Sequence, residues 1–148
     1  MGQETILYIE DDPASRRLVE RVLQHAGYEI VTAETGLKGI DIARKLLPDL
    51  IITDIDLPDL RGQEIATALR ADARFARIPI VALTAMTYGE HREMAMAAGL
   101  DGYMLKPLNT AKLREQVKYY LEGGRDDIDP ESLSAGQARF TREIVARL

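Results

Sequence analysis

Short apolar runs alternate with stretches of helical periodicity five times along the chain, the pattern of a parallel sheet wrapped by helices. The runs are Ile6-Leu7-Tyr8-Ile9, Glu29 to Ala33, Leu50 to Thr53, Ile80 to Leu83 and Tyr103 to Leu105. Runs apolar on both faces suit central parallel strands covered front and back. Between them, Leu18, Val19, Val22, Leu23 and Ala26 recur at helical spacing, as do Leu37, Ile40, Ala43 and Leu47, then Ile65, Ala66 and Leu69. Each set makes one apolar stripe. A last helix, about 109–121, carries Leu113, Val117, Tyr120 and Leu121 on one side, while 89–98 has only a thin stripe of Met94, Ala95, Ala97 and Ala98. Asp12-Pro13 reads as N-cap and first residue of the opening helix, and Gly27 and Gly99 stand where helix C-terminal glycines belong. The longest connection, Ile55 to Gly62, is a candidate functional loop.

Length and composition narrow the function classes. The chain has 148 residues, 46% hydrophobic and 29% charged, which suits one globular domain with a short appendage. Its net charge of −5 disfavours a primary role on nucleic acid or anionic lipid. With no cysteine and only His25 and His91, thiolate chemistry and histidine-rich metal cages are excluded. No run approaches the roughly 18 apolar residues of a membrane span, so the expected compartment is the cytoplasm.

Composition shifts after Leu121. The stretch Glu122-Gly123-Gly124-Arg125-Asp126-Asp127 reads as a linker, and Asp129-Pro130 and Ser134-x-x-Gln137 offer two helix starts. Phe140, Ile144 and Leu148 would share a face of a short amphipathic helix. So few apolar residues cannot fold alone, so this tail packs on the domain, meets another chain or stays loose.

The chemistry collects at strand ends, where open parallel sheets bind ligands. The first strand ends in Glu10-Asp11-Asp12, the third in Asp54, the fourth in Thr84, and the fifth runs into Lys106-Pro107. Capping accounts for Asp12. Glu10, Asp11 and Asp54 form a group, since carboxylates about 5 Å apart repel by roughly 3 kcal/mol per pair at an effective dielectric near 20. A hard divalent cation relieves that repulsion, and few protein carboxylates with room for water suit Mg²⁺. Its open positions invite phosphate oxygens, for which Lys106 and Thr84 are the charge and the hydrogen-bond donor. Asp54 is then the natural nucleophile for an incoming phosphoryl group. Acidic tips without a glycine-rich cradle argue against flavin mononucleotide.

These residues resemble the receiver domain of two-component response regulators, the CheY-like superfamily. The matching pieces are Ile9-Glu10-Asp11-Asp12-Pro13, Asp54-x-x-x-Pro58-x-x-x-Gly62, Thr84-Ala85, Ala97-Ala98-Gly99-x-x-x-Tyr103 and Lys106-Pro107, spread over residues 4–122. The resemblance implies a three-layer, doubly wound (βα)5 flavodoxin-like fold with a parallel five-stranded sheet in the order 2-1-3-4-5. It implies a receiver domain over 1–122, with 123–148 as linker and tail. Asp54 matches the phosphoacceptor, Asp11 the direct Mg²⁺ ligand, Glu10 the acid acting through water, and Asp56 the residue whose backbone carbonyl completes the metal shell. Thr84 and Lys106 match the groups that hold the phosphoryl oxygens. Tyr103 matches the aromatic that switches rotamer with Thr84, and Lys106-Pro107 the family's cis peptide bond. Leu57 and Leu60 replace methionines frequent in the family, and Asp56 and Met86 would flank the phosphoryl group.

The function so implied is a phosphorylation-dependent switch rather than a turnover enzyme. It would be fed by a histidine kinase or phosphotransfer protein and read by a protein target on the face of the fourth helix, fifth strand and fifth helix. No direct nucleic-acid or membrane partner is expected, and self-association stays open. Two alternatives remain: a haloacid dehalogenase-like phosphatase using Asp54 and Asp56, and a receiver scaffold that is never phosphorylated. In the phosphatase family the Asp-x-Asp strand comes first and the paired acids last, the reverse of the order here. His25 reads as a helix-dipole partner, His91 as a surface residue, and Arg16-Arg17 as a solvated helix face. Tyr119-Tyr120 reads as half core and half exposed.

Overall fold

The structure, a computed structural model, describes residues 3–84, 99–106 and 109–126. The fourth helical stretch at 89–98, Met86, His91, Pro107 and the tail from 127 lie outside the described residues. Strands β1 (Thr5–Ile9), β2 (Glu29–Ala33), β3 (Leu50–Asp54), β4 (Ile80–Thr84) and β5 (Gly102–Leu105) form one parallel sheet in the order β2-β1-β3-β4-β5. The described helices are α1 (Pro13–His25), α2 (Gly36–Leu46), α3 (Gly62–Arg70) and α4 (Thr110–Leu121), the last being the fifth helical stretch of the sequence.

Strand alternation divides the core into two layers. Leu7, Ile9, Ile51, Ile80 and Ala82 face Ile40 and Ala43 of α2 and Ile65, Ala66 and Leu69 of α3. Ile6, Tyr8, Leu50, Ile52, Val81 and Leu83 face Val19 and Leu23 of α1 and Leu113, Val117 and Tyr120 of α4. Each fully buried aliphatic side chain contributes about 1.5–3 kcal/mol, so the two layers together form a rigid platform. β2 lies at an edge and buries only Ala33 fully, which separates it from the central strands.

The helix starts follow their caps. The Asp12 carboxylate accepts from Ser15 N at 3.0 Å with Pro13 at the first helical position, and Asn109 accepts from Lys112 N at 3.1 Å. Gly27 at φ 97° and Gly99 at φ 110° hold the left-handed conformations expected of them. The stripes overreach at their margins. Leu18 and Leu37 are exposed, Leu37 by 64%, because α1 and α2 each need only about a third of their circumference against the sheet, and Leu47 is exposed because α2 ends at Leu46 and Leu47 caps it at a left-handed φ of 49°.

A polar hub fastens the end of the sheet away from the strand tips. The Arg70 guanidinium donates to the carbonyls of Phe75, Ile78 (2.8 Å) and Gly99 (3.0 Å) and to Asp101 Oδ2 at 2.5 Å. Asp101 Oδ2 also accepts from Ile80 N at 2.9 Å, so the start of β4, the turn before it and the approach to β5 share one cation. Residues 122–126 run back onto this hub: Arg125 pairs with Asp101 at 3.0 Å, Asp126 N donates to Asp101 O at 3.0 Å, and the Tyr119 hydroxyl donates to Arg125 O. Arg70→Ala removes the cation that joins the Phe75, Ile78 and Gly99 carbonyls to the Asp101 carboxylate. It is expected to lower the unfolding free energy by about 2–3 kcal/mol in urea titrations, whereas a change below about 0.5 kcal/mol would show that the hub is ornamental.

Candidate functional site

Parallel register lines up the strand tips. Ile9 pairs with Thr53, Asp54 with Leu83, and Thr84 with Leu105. One residue beyond each pairing, the chain brings Glu10, Asp54, Thr84 and Lys106 to the same rim. Glu10 is 1% exposed, Asp54 9% and Thr84 2%, while Asp11 is exposed at the mouth. Carboxylate oxygens of Glu10, Asp11 and Asp54 all lie within 4.8 Å of one another. The sequence placed these three together, and the structure brings them together.

Lys106 is the cation set against them. Its Nζ stands 3.2 Å from Glu10 Oε2, 3.4 Å from Glu10 Oε1 and 3.3 Å from Asp54 Oδ2. Its backbone N donates to Thr84 O at 2.8 Å, which ties the lysine to the tip of β4. Burial alone would pull the Lys106 pKa down, but Asp54 and Glu10 more than offset that and hold it above the usual lysine value. Burial pushes the Glu10 carboxyl up, the neighbouring Asp54 adds to this, and Lys106 opposes it without cancelling it. A partly buried cluster of three acids and one lysine therefore retains an excess of negative charge. Its donors are all hard oxygens with solvent access through Asp11, which fits Mg²⁺.

The loop after β3 is held open beside Asp54. Asp56 N donates to Asp54 Oδ1 at 3.3 Å, while the Asp56 side chain is exposed. Asp56 bridges to Arg61, and Gly62 N donates to Ile55 O at 2.9 Å. A Cβ on Gly62 would stand 3.2 Å from Asp54 O, so the close approach of α3 to the acceptor strand calls for glycine. From the same loop, Asp59 accepts from Gly36 N (2.8 Å) and Leu37 N (2.9 Å) and closes the N-terminus of α2. Burial works against the Asp59 carboxylate, but these backbone donors hold its pKa below the ordinary value.

Tyr103 lies farther along β5, half-buried against the α2/α3 core layer, and its N–H donates to the Tyr120 hydroxyl at 3.3 Å. It does not join the acidic cluster. Tyr120 is buried and Tyr119 47% exposed, as their pairing in the sequence suggested.

Arg16 requires a correction. Read as part of a solvated helix face, it is half-buried, and its Nη1 donates to Glu10 O at 2.8 Å and Asp11 O at 2.9 Å. One turn into α1, it clamps the two acid-bearing residues from behind. Tyr8, read as plain core, ends at the cluster as well, its hydroxyl 3.4 Å from Glu10 Oε2. The signals were the spacing of Arg16 from Glu10 and the i, i+2 relation of Tyr8 to Glu10 on one strand face.

Comparison with known proteins places this rim in context. Residues 6–118 match the family described as response regulator receiver domain. The polar-differentiation response regulator DivK of Brucella ovis is 31% identical over 118 residues, covering 80% of this chain and 96% of that protein. The chemotaxis response regulator CheY4 of Vibrio cholerae superposes with a TM-score of 0.76 at 32% identity, covering 78% of this chain and 97% of that one. The receiver domain of the sensor histidine kinase PA1611 from Pseudomonas aeruginosa has a TM-score of 0.76 at 30% identity, covering 82% of this chain and 100% of its own. That domain has a magnesium ion coordinated in its active site cleft.

Because the fold raises the Glu10 pKa, it favours the neutral acid. That contribution grows as pH falls through the raised value and is complete below the ordinary value of 4.5. Glu10→Gln, a neutral isostere, is therefore expected to raise the melting temperature of the metal-free protein at pH 7, by about 2–4 °C for each kcal/mol relieved. Thermal circular dichroism checks this, and a lowered melting temperature would show that the Lys106 pairing outweighs the crowding of acids.

Proposed function

Since this chain belongs to the response regulator receiver domain family, we propose that it is a phosphorylation-dependent switch of a two-component system or phosphorelay, with Asp54 as phosphoacceptor and Mg²⁺ as cofactor. The observation that carries this reading is the meeting of Glu10, Asp11 and Asp54 oxygens within 4.8 Å, countered among the described residues by the Lys106 ammonium. In this reading residues 1–122 are the receiver unit, 123–148 the tail, and the setting is cytoplasmic.

The roles follow from position. Asp11 and Asp54 would hold the metal through carboxylate oxygens, Glu10 through water, and Asp56 through its backbone carbonyl. Bound there, Mg²⁺ supplies charge neutralisation for the phosphoryl oxygens. Asp54 is fixed by two donors, Asp56 N on Oδ1 and Lys106 on Oδ2, so its carboxylate is oriented before a donor arrives. A carboxylate oxygen of Asp54 forms the O–P bond as the P–N bond of a partner's phosphohistidine breaks. The electron pair and a solvent proton go to the imidazole. The partner is a histidine kinase or phosphotransfer protein.

Phosphorylation turns a carboxylate of charge −1 into an acyl phosphate of about −2, and the added charge of roughly −1, with its new acceptor oxygens, draws Lys106 and Thr84 to the phosphoryl group. Thr84 is paired in the sheet with Leu105, and the Lys106 backbone is bonded to Thr84, so movement at the tip of β4 is transmitted to β5. Tyr103 on β5 is the aromatic positioned to respond. The output would be a change in the face that includes β5 and α4, where Leu105 and Tyr119 are each about half exposed, offered to a downstream protein.

Isotopically labelled acetyl phosphate tests the reading. Label enters the parent only with Mg²⁺, and Asp54→Asn reduces uptake to background. Lys106→Ala retains partial uptake, yet the shifts of the Tyr103 and Tyr119 resonances that accompany phosphorylation are lost. Parent-level uptake in Asp54→Asn would overturn the assignment of the acceptor, and steady release of phosphate from small esters would favour a phosphatase instead.

A further inference from the structure

Tyr8 occupies a fully buried position in β1, packed in the apolar layer with Ile6, Val19, Leu83 and Met104. Phenylalanine would fill the same volume without a polar atom. A buried hydroxyl costs about 1–3 kcal/mol unless it is hydrogen-bonded, so its presence calls for a partner. That partner is Glu10 Oε2, at 3.4 Å. Residues two apart on a strand share a face, so the Tyr8 ring lies under Glu10 and its hydroxyl meets the carboxylate from the core side.

The donors around Glu10 differ in how freely they can leave. Lys106 Nζ reaches both Glu10 oxygens but also serves Asp54. Asp12 N lies 3.4 Å from Oε1 and belongs to the main chain. The Tyr8 hydroxyl, anchored in the core, stays on Oε2. If phosphorylation draws Lys106 to Asp54, a carboxylate that is 1% exposed loses its cation and keeps one neutral donor on each oxygen.

On this basis, and resting on the function proposed above, we infer that Tyr8 is a positioning residue for the metal site. It holds the Glu10 carboxylate in one orientation whether or not Lys106 is engaged elsewhere, and so sets the affinity for Mg²⁺. It also accounts for glutamate at this position: a shorter aspartate, drawn back by about 1 Å or more, would lose a contact that is already long.

Tyr8→Phe is the test, because it keeps the ring and removes one oxygen. Calorimetric titration with Mg²⁺ is expected to show affinity weakened about three- to tenfold, the range for one lost hydrogen bond. Label uptake from acetyl phosphate should then need proportionally more Mg²⁺ for half-maximal rate, with the rate at saturating Mg²⁺ within about twofold of the parent. A purely structural role would lower the melting temperature and leave the Mg²⁺ titration unmoved. In a Glu10→Asp background the effect of Tyr8→Phe should shrink to less than about twofold. Unchanged Mg²⁺ affinity in Tyr8→Phe, or an equal loss in both backgrounds, overturns the inference while a parent that binds Mg²⁺ and takes label leaves the function intact. A parent that does neither overturns both.

Discussion

Everything at the rim depends on forcing like charges together. Glu10 and Asp54 are nearly buried, Asp11 stands beside them, and Lys106 is the cation that reaches in. Each carboxylate pair near 5 Å opposes folding by roughly 3 kcal/mol at an effective dielectric of about 20. Side chains free to move would separate. They remain because each sits at or just beyond the tip of a strand locked in parallel register, and each strand is covered on both faces by aliphatic residues worth about 1.5–3 kcal/mol apiece. The core fixes the positions, and the unbalanced charge makes them reactive toward a hard cation and the oxygens it attracts.

The two ends of the sheet are built for different tasks. At the end where Ile80 enters β4, Arg70 and Asp101 gather several loops with short bonds, and residues 122–126 lie across them. At the strand tips the contacts are longer, 3.2–3.4 Å around Lys106, and one lysine divides itself among three oxygens. A cation so divided is easily redirected, whereas Arg70, saturated by carbonyls and Asp101, is not. The path between the ends runs along β5, where Lys106, Tyr103 and Asp101 follow one another within six residues and Tyr103 is tied to Tyr120 of α4.

Most of this was legible in the sequence, for identifiable reasons. The strands declared themselves because runs apolar on both faces have few other homes, and the apolar stripes, with the cap at Asp12, declared the helices. The tips followed because the polar residue that ends each run has nowhere to go but the rim. What escaped was tertiary. Leu37 sits at helical spacing yet faces solvent, because periodicity gives a stripe and not its width, and Leu47 falls just past the left-handed end of the helix whose spacing it continues. Asp59 caps a helix that begins 23 residues earlier, a relation no local pattern carries. Arg16 and Tyr8 were assigned by type, one as surface and the other as core, and each proved to touch the acids because a long side chain ends far from where its backbone sits.

The most direct test of the central claim is a Mg²⁺ titration followed by amide resonances of the isotopically labelled chain. If the crowded carboxylates exist to seat a divalent ion, the shifts concentrate at Glu10, Asp11, Asp54, Asp56 and Lys106 and saturate together as one site. Resonances that stay still, or that move without saturation over the scattered acidic surface, would contradict it.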